Sequence, residues 1–199
     1  MDEELRSLTE RLRQESAGSA EYERLAGTED HGELAEVLTA PGRPLWAREL
    51  AAFRLGLAGD RRAFESLVLL LNHRDPPRCA SAAHALARLG DPRTARAAAA
   101  LATNELRVAY ALHPVRLLVE LRAPESAPAL ITTLRRRLRP HDPYHRVALA
   151  CVEGLGALGD TRARAVLHEA LAHPALAEAA VAALARIPEQ RRGEASGHG

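Results

Sequence analysis

The chain contains no lysine: its 27 Lys+Arg residues are all Arg. A phosphate loop of the Gly-x-x-x-x-Gly-Lys type needs that Lys and is therefore excluded. No Gly-x-Ser-x-Gly elbow occurs either. Aromatics make up 3% of the residues and only two Ile are present, too few to build a sheet. Two Cys in 199 residues make no disulfide framework. Charge of either sign is in little excess, with a net value of +1, which argues against a basic nucleic-acid coat or an acidic tail protein. No run of 18 apolar residues spans a membrane. Met1–Arg13 is charged throughout, so no secretory leader and a cytoplasmic location are expected.

What remains is Ala and Leu, 41 and 32 residues, which point to an all-α fold. The same GC-rich codon usage that inflates Ala, Gly and Pro accounts for Arg in place of Lys. The number of Arg is then weak evidence for phosphate binding, although Arg can do that work.

Internal repeats organise the chain. Gly59-Asp60, Gly90-Asp91 and Gly159-Asp160 each end a segment of small and apolar residues at helical spacing. Leu stands five residues before each Asp (Leu55, Leu86, Leu155), and Ala or Gly stands four before (Gly56, Ala87, Gly156). A divergent leading unit ends at Asp30, a fourth unit has Leu118 and Ala123 in the Leu and Asp places, and a half unit covers Leu176–Glu189. Successive steps are 30, 31, 32, 37 and 29 residues, the long one holding the insertion Arg135–Pro143.

Each unit reads as two helices. Gly before Asp stops the first by taking the left-handed C-terminal conformation, and Asp caps the second, where its carboxylate meets orphan N–H groups and the positive helix end. Helices this short are marginal alone and must stack. The expected fold is an α-solenoid of antiparallel helix pairs. Residues 1–16 form an N-terminal capping helix with Leu5, Leu8 and Leu12 on one face, 17–187 form the solenoid, and 188–199 form a disordered tail.

The pattern resembles the HEAT-like repeats of the phycobilisome-lyase type. Ala83, Leu86, Leu89, Gly90, Asp91 and Arg93 carry the resemblance in one unit. Leu155, Gly156, Leu158, Gly159, Asp160, Arg162, Ala163 and Leu167 carry it in another. It extends over about 17–187 and departs in the fourth unit, where Arg122-Ala123 replaces Gly-Asp and Pro114 starts or kinks a helix. The resemblance implies a fold and leaves the job open, since such repeats serve unrelated functions. Some relatives with this repeat hold two irons through repeated His-Glu pairs. Here one such pair, His168-Glu169, is present, too few for two metals.

Cys79 and Cys151 fall on first helices of non-adjacent units, so two buried thiols are expected rather than a disulfide. His141 and His145 have Pro143 between them, and His84 faces away from the Leu stripe. All are read as surface residues. No cofactor or metal is expected.

Second helices line the concave face of a solenoid, its natural binding surface. Counting two, five, nine and twelve residues on from each Asp picks out the outward positions. They include Arg62, Leu69, Arg93, Arg96, Arg135 and Arg162. Arg62, Arg93 and Arg162 recur at one place. Either each pairs with a capping Asp of its own or a neighbouring unit, or they form a ligand-binding ladder. Arg135, Arg136, Arg137 and Arg139 form the one charge cluster, read either as a solvated helix end or as an anion contact on a protruding loop. These eight Arg are the candidate partner-binding set. The function expected is a monomeric, bacterial, non-catalytic protein–protein adaptor with an acidic partner. The alternatives are a component of a bilin lyase, which the resemblance implies, and duplex DNA binding, against which the near-zero charge and the absence of an aromatic-lined groove count.

Overall fold

The computed structural model describes residues 3–188, with side chains from residue 6. Twelve α-helices, joined by turns and three 3-10 segments, are present among the described residues, with no strand among them. They are α1 (Glu3–Glu15), α2 (Ala20–Gly27), α3 (His31–Thr39), α4 (Leu45–Leu57), α5 (Phe64–Leu71) and α6 (Pro76–Leu89). Then follow α7 (Thr94–Ala102), α8 (Leu112–Leu121), α9 (Ser126–Arg137), α10 (His145–Leu158), α11 (Arg164–Ala170) and α12 (Ala177–Arg186).

The even-numbered helices α4, α6, α8, α10 and α12 pack side by side as one layer, and α5, α7, α9 and α11 form the other. Each second helix also packs against the first helix that follows it, so one hydrophobic core runs the length of the array. The chain is an α-solenoid. The repeated Leu55, Leu86, Leu118 and Leu155 are all buried within it. Gly59, Gly90 and Gly159 end α4, α6 and α10 with φ between 65° and 75°, a conformation that costs Gly little. Close approach of first helices explains the small residue four before Asp. A Cβ on Gly156 would stand 2.7 Å from the Ala183 Cα of α12, and one on Gly56 would stand 2.9 Å from the Ala85 Cβ of α6.

The fourth unit solves the same turn differently. Arg122 takes the left-handed place of Gly at φ 49°. With no Asp at 123, Ser126 Oγ accepts the Ala123 N–H at 3.1 Å and donates to the Leu118 carbonyl at 2.6 Å. Pro114 sits in the first turn of α8, where it begins the helix rather than breaking it.

Two expectations need correction. His84 is buried, not on the surface, and stacks on Phe53 with ring centroids 6.0 Å apart. The reason is that α6 is flanked by α4 and α8, so a first helix buries both its sides and not only its Leu stripe. And α1 does more than cover the leading unit. It lies across α4 and α6, with Leu8 and Leu12 buried and Tyr22 Oη donating to the Thr9 carbonyl at 3.2 Å. An ionic cluster fixes it there: Glu49 of α4 accepts from Arg11 and Arg78, and Arg78 of α6 donates to both Glu15 oxygens at 2.7 and 2.8 Å. The tail expected from 188 onward falls, beyond Pro188, outside the described residues.

Candidate functional site

The second-helix face is built as the counting rule requires. Arg62, Leu69, Arg93, Arg96, Pro128, Arg135, Arg162 and Glu169 are exposed on it, with Asn72, Thr103 and Thr132 half-buried. The three recurrent Arg are tied down. Asp60, Asp91 and Asp160 each accept the N–H of the residue two on, and that same residue's guanidinium forks onto the carboxylate. The Nε bonds are 3.0 Å in all three, and the Nη2 bonds are 2.6, 2.9 and 2.6 Å. The guanidinium first, then the backbone N–H, hold all three carboxyls below their usual range.

Two of these forks also reach the preceding unit. Arg62 Nη2 donates to the His31 carbonyl at 3.1 Å, and Arg93 Nη1 pairs with Glu65 at 3.0 Å. Arg93 further lies over the Phe64 ring, 3.9 Å from its centroid. In the fourth unit Pro128 occupies the place of Glu65 and Ala123 that of Asp60. Arg162 therefore binds only its own Asp among the described residues. The geometry is that of cap-locked Arg and not of an open ladder.

The basic cluster divides. The helix α9 continues to Arg137, so three of the four Arg lie on its last turn and only Arg139 on the loop. Nearby sequence offers Asp142 alone as an acid, a partner for one of Arg136 and Arg137 and not for both. The fold supplies the second. Arg136 reaches back one unit to the Thr103 carbonyl at 2.7 Å and Glu105 at 3.0 Å. Arg137, with its side chain 9% exposed, pairs with Asp142 at 2.9 Å. Stacking brings an acid from 31 residues earlier in the chain, which local sequence does not reveal. Arg135 and Arg139 stay exposed, as does Arg96 on the neighbouring α7, with no carboxylate partner among the described residues. A second feature of this face is Leu69, 73% exposed at a groove of about 180 Å³ that Leu38, Leu45 and Leu70 line together with Arg48, Glu49, Ser66 and His73.

Other candidate groups are chemically quiet. Cys79 and Cys151 are buried and free. Burial pushes both thiols up, Cys151 to about 12, so neither is a thiolate at neutral pH. His168, Glu169, His141 and His145 are exposed. Among the described residues no three His, Cys, Asp or Glu side chains gather as a metal site requires. No helix among them is long and apolar enough to cross a membrane.

Fold and surface define an α-solenoid repeat protein with an open second-helix face. Residues 147–173, which take in α10 from Val147 and all of α11, match the model of the PBS lyase HEAT-like repeat. A comparison of the chain with curated proteins finds no match.

Proposed function

We propose that the protein is a non-catalytic adaptor that docks an acidic protein partner on its second-helix face. The observation that carries this reading is the company of an exposed Leu69 with cations that have no internal carboxylate, Arg96 and Arg135, on one continuous face. A large apolar side chain left in water on the same helix layer as uncommitted Arg is the composition of an interface anchor. Arg139, just past the end of α9, extends the charge. Arg62, Arg93, Arg136, Arg137 and Arg162 serve this surface indirectly, by fixing the helices that present it.

The partner is expected to associate faster at low salt, because its acidic surface is steered by these cations. The test compares affinity capture by the natural chain and by an Arg96→Ser, Arg135→Ser, Arg139→Ser variant, with bound proteins identified by mass spectrometry. The expected outcome is a protein retained by the first, released by about 0.5 M salt, and lost with the variant. Equal retention by both overturns the reading. The chromophore-lyase alternative draws on the name of the matched repeat, and a bilin or heme absorbance shift on mixing would separate it from an adaptor. Duplex binding would appear as a salt-dependent mobility shift.

A further inference from the structure

The two longest links between units meet at one place. The chain runs from α7 to α8 through a six-residue 3-10 turn, Glu105–Tyr110, and from α9 to α10 through residues 138–144. Both links end at the edge where first helices begin. Between them and the start of α6 lies a hollow of about 310 Å³, within the size range of small-molecule sites. It faces away from the adaptor surface, on the first-helix layer.

Its chemistry is one-signed. Tyr110, His113 and Arg116 line it from α8 and the turn before it, and Tyr144, His145 and Arg146 from α10 and the loop before it. No acidic residue lines it. Arg116 and Arg146 are exposed at the rim and have no carboxylate partner among the described residues. Burial, together with the charge of Arg116, pushes the His113 pKa down, so that ring is a neutral hydrogen-bonding group at neutral pH. The floor is apolar, made by the buried Val147 and by Cys79, whose thiol contacts the His73 carbonyl at 3.1 Å.

The walls are held rather than loose. Arg107 lies over the Tyr110 ring, 4.6 Å from its centroid, and is itself tied to the Asn72 carbonyl at 2.6 Å. Arg137 lies 5.8 Å from the Tyr144 centroid and is tied to Asp142. Each tyrosine is thus backed by a fixed guanidinium, and that of Arg107, tied to a carbonyl rather than a carboxylate, adds positive potential behind the Tyr110 ring. A site whose walls are set in advance loses less entropy on binding.

The geometry points to a binding site for a small organic anion: a flat apolar body against Tyr110, Tyr144 and Val147, with its anionic group between Arg116 and Arg146. Arg binds carboxylate and phosphate through the same charge-assisted bonds, and the neutral His113 adds one more. The site is independent of the adaptor reading, since none of its lining residues lies on the second-helix face.

The test titrates the full chain by calorimetry with three probes of one shape: 2-naphthoate, 2-naphthyl phosphate and the neutral 2-naphthalenemethanol. Saturable binding of at least one anion is expected, at least about tenfold tighter than the alcohol. Which anion binds more tightly assigns the head group. Changing Arg116→Gln and Arg146→Gln together should weaken the anion about tenfold or more with an unchanged helical spectrum. Arg135→Gln with Arg139→Gln should leave it unaltered. Equal affinity for the alcohol, an unweakened Arg116, Arg146 variant, or no saturation by either anion near about 1 mM overturns the assignment.

Discussion

Glu49→Ala should be among the costliest single changes in this chain. Glu49 stands in the middle of α4 and is 1% exposed. Its carboxylate accepts from Arg11 of α1 and Arg78 of α6, with Ser81 Oγ 3.4 Å away. Three helices far apart in sequence therefore converge on one side chain. Deleting one member of a buried ion pair costs about 3–5 kcal/mol, because the other charge stays out of water without its counter-ion. Arg78 would keep Glu15 at 2.7 Å and Asp75 at 3.3 Å, which places the expected loss near the lower figure, about 3 kcal/mol. Domains of ordinary stability have only about 5–15 kcal/mol in total, so the urea midpoint should move far and measurably. The control is Arg13→Ala, whose pair with Glu23 is 3.4 Å long and exposed on both sides. Such pairs contribute about 0–1 kcal/mol. Proteolysis supplies a second readout, since α1 should be cut sooner in the Glu49 variant if the cluster is what holds it down. A loss below about 1 kcal/mol, with α1 no more accessible, would refute the reasoning and show that the Leu8 and Leu12 contacts suffice.

Two further outcomes follow from the repeat itself. Leu86 is 1% exposed, and Leu86→Ala should cost about 2–5 kcal/mol through lost burial and the cavity left behind, read from urea unfolding. The capping carboxyls of Asp60, Asp91 and Asp160 have folded pKa values below their unfolded ones. The stabilisation they give is therefore complete above the ordinary carboxylate range and is lost as pH falls through the folded values. Thermal midpoints measured from pH 7 downward should fall on that acid limb, and Asp91→Asn should flatten it. An unchanged limb would mean that the forks contribute no pH dependence.

The sequence made the array legible because its signals are local. Gly-Asp sets a left-handed stop and a cap within two residues, and the Leu five before it marks the core, so the units ending at Asp60, Asp91 and Asp160 can be placed without a structure. For Arg62, Arg93 and Arg162 the sequence left two readings, a capping-Asp pair or a ligand ladder, and kept all three in the candidate partner-binding set; in the fold each is held by the Asp two residues before it. What was not legible depends on stacking. Glu105 comes to Arg136 only because α7 and α9 are neighbours, and Glu49 meets Arg78 across 29 residues. A charge on an apolar first helix, such as Glu49 or Arg78, was the available sign of such a partnership. His84 was misplaced because the helical stripe assumed one buried face, whereas a middle helix of a layer has two buried flanks. The hollow beside α8 and α10 had a weaker sign still, the long step of 37 residues, which suggested a protruding loop and not a wall.

The regular and irregular parts of the chain divide the work between them. In the regular units the recurrent Arg62, Arg93 and Arg162 are each consumed by their own cap, and two of them by the preceding unit as well, whereas Arg96 stays exposed without a carboxylate partner among the described residues. A surface made only of such cap-locked Arg would be charged yet saturated, with little left for a partner or an anion. The fourth unit breaks the rule. It has lost the Gly-Asp pair, it carries Pro128 where the second unit has Glu65, and it is bounded by the two longest links. Its departure leaves Arg135 and Arg139 without carboxylate partners on one side of the array and opens the Tyr110–Tyr144 hollow on the other. In a solenoid the repeated residues answer the need to stack, so binding chemistry has room where the repetition fails. The fourth unit is thus where the two proposed surfaces meet, facing opposite ways, with Leu69 and Arg96 extending the adaptor face over the two units before it.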